Sequence, residues 1–541
     1  MYGALLLLVL RPPLPADFVV ENARIWTPEK KGFARFAAVR DGRFVYVGTP
    51  NAQWIGKATR RWNARGRVVI PGLIDSHVHL LSGGLGLSTL QLRDASDKAD
   101  FIRRVRQWAS TLSAGEWVLG GRWSTESWKR IEQPTKTWID EACGGRPAYL
   151  PRMDGHSALV NSEALRLAGI TRDGPPDPPG GVIERDPATK EPTGILRESA
   201  MGLVSRLIPA PTLNQKRTAL EAAIRHANRF GITAVSDIPN LEDLPVYASL
   251  AKKPDAALRL FLYPTVADFE AALPVFRNFS IRPGWIEVRG FKAYLDGSLG
   301  SRTAYMRAPF QDNPPDRKAW RGMLREGVED GRFLRNAKAA AAAGYQTIAH
   351  AIGDEANHLL LDALRQAYPD LKEARCRSEH CQHLLPEDVP RFGALGVIPS
   401  MQPYHKADDG RYAESYIGAA RAKSSYAFRS LLRGGAKVAF GSDWPVVSLD
   451  PFLGIEAAVT GKTLDGKAWQ VQENLTVTQA LTCYTVHGAY AVFQERFLGR
   501  IEPGYAADFV VLDASPFENL HPKIGAVFVG GRQVFPSVAG R

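Results

Sequence analysis

The stretch Val68–His79 reads VVIPGLIDSHVH. Its first seven residues, Val68–Ile74, form an apolar β-type run. Its end is polar: Asp75-Ser76-His77-Val78-His79. In extended backbone, residues i and i+2 point the same way. His77 and His79 therefore present two imidazoles to one side, the arrangement that a single metal ion takes. By itself the pair has a second reading, two surface histidines in a loop. The rest of the chain decides between them.

Seven further β-type segments follow, at Ile232–Val235, Leu258–Tyr263, Val288–Leu295, Tyr345–Ala349, Cys376–His380, Val397–Met401 and Lys437–Phe440. Helix-patterned stretches such as Leu220–Phe230, Arg332–Ala343 and Glu355–Gln366 lie between them. Strands alternating with helices predict the α/β class, here a (β/α)8 barrel over residues 68–495. A long insertion, about 81–229, separates the first strand from the second and includes the Pro/Gly-rich loop Asp173–Gly181. In a barrel it leaves the face where sites form, so it is expected to cover the site. Both chain ends read as short strands: Asp17–Ile25 and Phe36–Gly48 with a turn at Asp41-Gly42, then Asp508–Leu512 and Ala526–Phe535 with a turn at Gly530-Gly531. They predict one small β domain built from residues 17–67 and 496–541.

The 541 residues suit one large barrel with additions, and 45% apolar with 23% charged residues is an ordinary globular mix. The net charge of +12 comes without a Lys/Arg block or a nucleic-acid motif, so no nucleic-acid partner is expected. Cys143, Cys376, Cys381 and Cys483 form no CxxC pair, which argues against a redox motif or zinc knuckle and for buried small side chains. The apolar run Ala4–Leu10 is far shorter than the ~20 residues that span a bilayer. Residues 1–16 read as a signal remnant or a disordered tail, so exported and cytoplasmic locations both stay open; no membrane partner is expected. Self-association into a homo-oligomer is also left open.

The polar residues at the strand ends carry the chemistry. His350 ends the fifth strand in Ile348-Ala349-His350, His380 the sixth in Ser378-Glu379-His380, and Asp443 follows the eighth in Gly441-Ser442-Asp443-Trp444. Lys292 lies inside the apolar fourth strand, where burial without a partner is costly. Each has a bland reading alone: a hydrogen-bonded histidine, a helix cap, a snorkelling lysine. All six together at one barrel face point to a divalent metal held by imidazole and carboxylate, a set that suits Zn and also Fe, Mn or Ni.

The matches PGLIDSHVH (71–79), DGHSALVNSEAL (154–165), EPTGILRE (191–198), FKAYLDGSLGSRTA (291–304), IAHAIGD (348–354), SEHCQH (378–383), GSDWPV (441–446) and GRIEPGYAADFVVLD (499–513) run in order along nearly the whole chain. In them the sequence resembles the amidohydrolase superfamily, and more narrowly its N-substituted formamide deformylase-like branch. The resemblance implies a TIM barrel with a β-sandwich from both ends. It implies that His77 and His79 bind one metal, that His350 and His380 bind a second, and that Lys292, carbamylated on its amine, bridges the two. Asp443 is implied as ligand and proton shuttle. One or two ions fit, Zn first. His383 rivals His380, but the SEH position carries the ligand. His156, Asp296, Arg302 and Trp444 are expected near the substrate, with anchoring of loops as the alternative for His156, Asn161, Asp296 and Arg302. Trp117, Trp123, Trp128, Tyr404 and Trp444 point to a partly apolar pocket, with packing of the insertion against the barrel as the alternative for the tryptophans; His487 is expected to be a surface or packing residue.

The activity implied is hydrolysis of a non-peptide, amide-type carbon–nitrogen bond in a small molecule by a metal-activated hydroxide. Asp443 takes the water proton and passes it to the leaving nitrogen. A deaminase or a lactone or ester hydrolase on the same site, and a metal-free scaffold on the same fold, stay as alternatives.

Overall fold

The computed structural model describes residues 14–28, 32–87, 89–125, 128–130, 132–152, 157–178, 181–251, 257–279, 282–313, 315, 318–325 and 327–536. The chain divides into two compact units, residues 1–80 with 223–541, and residues 81–222. Among the described residues no helix is long and apolar enough to cross a membrane.

In the first unit the chain ends build two sheets. One runs in the order Arg43–Gly48, Phe36–Arg40, Phe18–Glu21, Arg60–Asn63. The other runs Arg24–Ile25, Val68–Pro71, Phe509–Leu512, Ile524–Val529, Arg532–Phe535. The two sheets share one core, which includes Phe18, Val39, Phe44, Val69, Phe509 and Phe528. Phe509 and Phe528 stack at 4.4 Å. Asp41-Gly42 and Gly530-Gly531 all have positive φ, the backbone that a tight hairpin with right-handed twist requires.

The middle of the unit holds parallel strands. One sheet has the order Ile286–Val288, Arg259–Leu262, Ile232–Asp237, Leu73–Val78. The second has Gly290–Tyr294, Gln346–Ala351, Arg377–His380, Ile398–Met401, Ala439–Phe440. Their interiors are almost wholly buried, which explains the near-continuous apolar runs. The expected barrel is therefore not one continuous closed ladder. The two sheets meet through the segment 286–294 and through short contacts. Thr265 bridges Lys292, and Val78 bridges Trp444, both in parallel. His79 N–H donates to Trp444 O at 2.8 Å and Asp443 N–H to His77 O at 2.7 Å.

The run Val68–Ile74 is not one strand. Val68–Pro71 pairs antiparallel with Phe509–Leu512 in the terminal sheet, and the parallel strand begins at Leu73. The break is Gly72. Its N–H donates to Asp508 O at 2.9 Å. A Cβ there would sit 2.2 Å from Thr233 Oγ1, so only glycine lets the chain pass from one sheet to the other.

The second unit has its own six-stranded sheet, in the order Gly181–Arg185, Pro192–Glu198, Ser157–Val160, Ala148–Pro151, Val118–Gly121, Leu90–Gln91. Trp123, Trp128, Trp138 and Phe101 fill one of its cores, and Trp117 packs on another. Trp123 and Trp128 spend their indole N–H groups on Leu150 O and Ala95 O. These tryptophans thus hold their own unit together. All four cysteines are buried and free.

Candidate metal centre

The strand Leu73–Val78 is buried along its length and delivers His77 to its end. Asp75 Oδ1 accepts from His77 N–H at 3.1 Å and from Ser442 N–H at 3.0 Å, which ties this strand to the turn that carries Asp443. Burial pushes the Asp75 carboxyl up to about 7. His77 Nδ1 meets the Glu379 carboxylate, both side chains being fully buried. A carboxylate only accepts, so Nδ1 carries the proton and Nε2 keeps its lone pair. That nitrogen lies 3.4 Å from Asp443 Oδ1 and 3.4 Å from Lys292 Nζ. His79 Nε2 lies 3.2 Å from the same Asp443 oxygen.

Glu379 is set by its own strand. Arg377, two residues earlier and on the same side, donates from Nε to Glu379 Oε1 at 2.6 Å. Arg377 also donates to Ser76 O, Ser236 Oγ and Ser400 Oγ, so four strands share one buried guanidinium. Burial alone would raise the Glu379 carboxyl; Arg377, His77 and Lys292 outweigh it and hold Glu379 well below the usual carboxylate range.

Alternation along a strand would send Glu379 and His380 to opposite faces. His380 has φ 75° and Cys381 φ 49°, a left-handed backbone that turns the imidazole back to the cluster. Its ring sits 4.8 Å from that of His77 and 4.4 Å from that of His350. Its Nδ1 donates to Gln402 Oε1 at 2.8 Å. Asp443 is also left-handed, at φ 59°. Burial would raise its carboxyl, but His77, His79, His380 and His405 hold it well below the usual range. Burial lowers His77 to about 4 and His350 to about 3. Buried Lys292, 1% exposed, is lowered to about 8 by loss of solvent.

The donor set fits a divalent cation. Two atoms each about 2.1 Å from one tetrahedral ion lie ~3.4 Å apart. Asp443 Oδ1 stands at about that spacing from both His77 and His79, at 3.4 and 3.2 Å, and His380, His405 and Asp443 form a second group of donors within 4.8 Å of one another. Asp443 Oδ1 is buried without a hydrogen-bond partner, as a waiting ligand atom would be.

His77, His79, Lys292, His350, His380 and Asp443 are thus brought together. His350 turns its Nε2 to Gly297 O at 2.9 Å and Asp296 Oδ1 at 3.5 Å. Asp296 accepts from the N–H groups of Ile352, Gly353 and Tyr305 at 2.8–3.0 Å and so anchors a loop. Arg302 pairs with Asp312 and lies over Tyr416. Trp444 is buried beside Asp443 and stacks on His226 at 5.4 Å. His156 lies outside the described residues. Asn161 caps the helix Ser162–Leu167 and holds Ala148 N–H and Arg146 O, an anchoring role. His383 meets Ser425 Oγ at 2.7 Å, away from the ligand position, and His487 meets Val438 O. Sequence reading missed Glu379, Gln402 and His405. The first had a signal: a glutamate two residues after an arginine inside an apolar strand must pair with something. His405, in Pro403-Tyr404-His405, had none.

The description "Amidohydrolase family" matches residues 62–535 of the chain. Over 557 aligned residues the chain is 36% identical to "Protein LONG AFTER FAR-RED 3" of Arabidopsis thaliana, covering 97% of this chain and 93% of that one. It is 24% identical to the N-substituted formamide deformylase of Arthrobacter pascens, covering 93% of this chain and 94% of that enzyme. Among solved structures, an uncharacterized metal-dependent hydrolase from Pyrococcus furiosus superposes with a TM-score of 0.75 at 25% identity, over 92% of this chain and 99% of that one.

Proposed function

Because the chain belongs to the amidohydrolase family, we propose that it hydrolyses a carbon–nitrogen bond of a small amide-type substrate at the cluster around Asp443. The observation that carries this reading is the convergence of His77, His79, His380, His405 and Asp443 on shared donor positions, with Asp443 Oδ1 buried and unpaired. The two parallel sheets are read as the halves of one TIM barrel, with the centre at the C-terminal ends of the strands, where such barrels place their sites. The cofactor is one or two divalent ions, Zn first, because imidazole and carboxylate donors suit it.

An ion held there supplies Lewis acidity and makes a water molecule a nucleophile near neutral pH. The chain's own residues do the rest. Asp443 takes the water proton on a carboxylate oxygen and delivers it to the leaving nitrogen. Glu379, fixed by Arg377, holds His77 in the tautomer that leaves Nε2 free. Burial lowers Lys292 to about 8, so its amine loses its proton readily, the condition for carbamylation and for the bridging role. The deformylase-like branch rests on the relative at 24% identity and is a proposal for the substrate, as is a pocket wall at Trp444.

The test is removal and return of metal with a substrate panel of formamides, acyl amino acids, dipeptides, lactones and aminated heterocycles. Turnover of an amide-type compound should vanish with chelation and return with a divalent ion. A purified protein that carries no stoichiometric metal, or turns over only lactones, would overturn the reading.

A further inference from the structure

His77 is braced through its ring by Glu379, and His380 by Gln402. His79 is braced through its backbone. Its side chain is 28% exposed, against 0% for His77, so packing holds it less tightly. A ligand must be kept within about 0.5 Å of its place, so the backbone from 77 to 80 decides where His79 Nε2 stands.

That backbone is held on alternate sides. Residues 77 and 79 bond to the turn around Asp443, through His77 O and His79 N–H. Residues 78 and 80 bond to the end of the strand Ile232–Asp237. Ile238 N–H donates to Val78 O at 3.0 Å, and Leu80 N–H donates to Asp237 Oδ1 at 2.7 Å. A parallel ladder would offer Leu80 a main-chain carbonyl. Here a side-chain carboxylate stands in for it.

The register shows why a hold is needed at this point. Val235 pairs with Asp75 but Asp237 with Val78, so two steps on one strand face three on the other. Such a bulge re-aims side chains. A further slip of one residue would turn His77 and His79 to the opposite face. Asp237 closes the bulge and is itself fixed. Its Oδ2 accepts from Tyr247 OH at 2.6 Å, its Oδ1 also takes Ile238 N–H at 2.9 Å, and both Asp237 and Tyr247 are fully buried. A carboxylate at the first N–H of a helix is stabilising wherever it occurs. Here the helix Leu80–Leu87 begins directly after His79, so the same bond also fixes the histidine.

We propose that Asp237 is a positioning residue of the metal centre: locked by Tyr247, its carboxylate pins Leu80 and so sets the imidazole of His79 against Asp443. The inference rests on the reading of the Asp443 cluster as a metal centre.

The experiment uses the full chain, freed of metal by chelation and titrated with Zn2+ alone. Bound zinc is counted by elemental analysis, and affinity is read by competition with a chromophoric chelator. His79→Ala marks the zinc that depends on His79. Asp237→Ala should weaken that same zinc about 10–100-fold. Asp237→Asn keeps an oxygen for Leu80 N–H and should recover most of the affinity. Tyr247→Phe should lose less than Asp237→Ala, in the same direction. Tyr368→Phe removes a buried hydroxyl that donates to Tyr345 O, near the start of the strand Gln346–Ala351, and should titrate like wild type. A folded Asp237→Ala that binds zinc as wild type does, whatever its unfolding midpoint, overturns the inference and leaves the proposed function standing. So does an Asp237→Asn as weak as Asp237→Ala. Should Asp237→Ala fail to fold, Tyr247→Phe decides: weaker zinc binding supports the assignment and wild-type binding overturns it. A wild type that binds no zinc overturns the proposed function, and the inference falls with it.

Discussion

Between the two terminal sheets the chain buries Phe18, Val39, Phe44, Phe509 and Phe528, apolar groups that need no partner. At the ends of the parallel strands it buries His77, Lys292, Arg377, Glu379, His380 and Asp443 to the same degree. Apolar burial stabilises in rough proportion to area. Buried charge does not, because the cost of leaving water consumes most of what pairing returns. The first region is there to be stable. The second is held in place by the rest of the fold, and it keeps an unsatisfied oxygen and left-handed backbone at two ligand positions. Such strain is tolerated where chemistry needs a fixed geometry.

Three variants press on that contrast. Asp443→Asn keeps the shape and removes the base, so turnover should fall by about 10²–10⁴-fold while the unfolding midpoint hardly moves. Wild-type turnover would show that the rim holds charge for another purpose. Phe509→Ala should do the reverse. It opens a cavity in the aromatic stack with Phe528 and should cost about 3–5 kcal/mol in denaturant unfolding, while the folded fraction binds zinc as tightly as before. A large loss of zinc affinity would mean that the two regions are not independent. Glu379→Gln tests the boundary between them. It keeps a hydrogen-bonding side chain against Arg377 but weakens the hold on His77, so zinc affinity should fall about 10–100-fold in the same chelator competition. Unchanged affinity would make Glu379 a partner for Arg377 alone.

Much of this was legible in the linear chain. Lys292 stood out because a lysine inside an apolar strand demands a reason, and His77 with His79 because their spacing is two in a run that must be extended. The segments Ile232–Val235 and Val397–Met401 lie within a residue or two of the observed strands, since parallel strands covered on both faces are continuous apolar runs. What was hidden depended on chain direction and on distant partners. Period-two reasoning separates Glu379 from His380, and only the positive φ at His380 reunites them. The strand Val68–Ile74 looked whole because nothing local says that Pro71 pairs with Phe509. Asp296 and Arg302 looked like pocket residues, yet backbone N–H groups take up one and Asp312 the other. His405 sits in a short helix whose pattern says nothing of the ring stacked on its imidazole from across the rim.

Gly72 joins two timetables. Proteins are synthesised from the N-terminus. The histidine pair at 77 and 79 therefore leaves the ribosome long before Phe509–Leu512, the strand that Val68–Pro71 lies against. Until then the segment leading into the histidines has no antiparallel neighbour, and Gly72 has no Asp508 carbonyl to receive its N–H. Until residues 509–512 have been made, the two imidazoles wait on a strand whose root is still missing, so a strand that carries no proposed ligand sets the moment at which the centre can be completed.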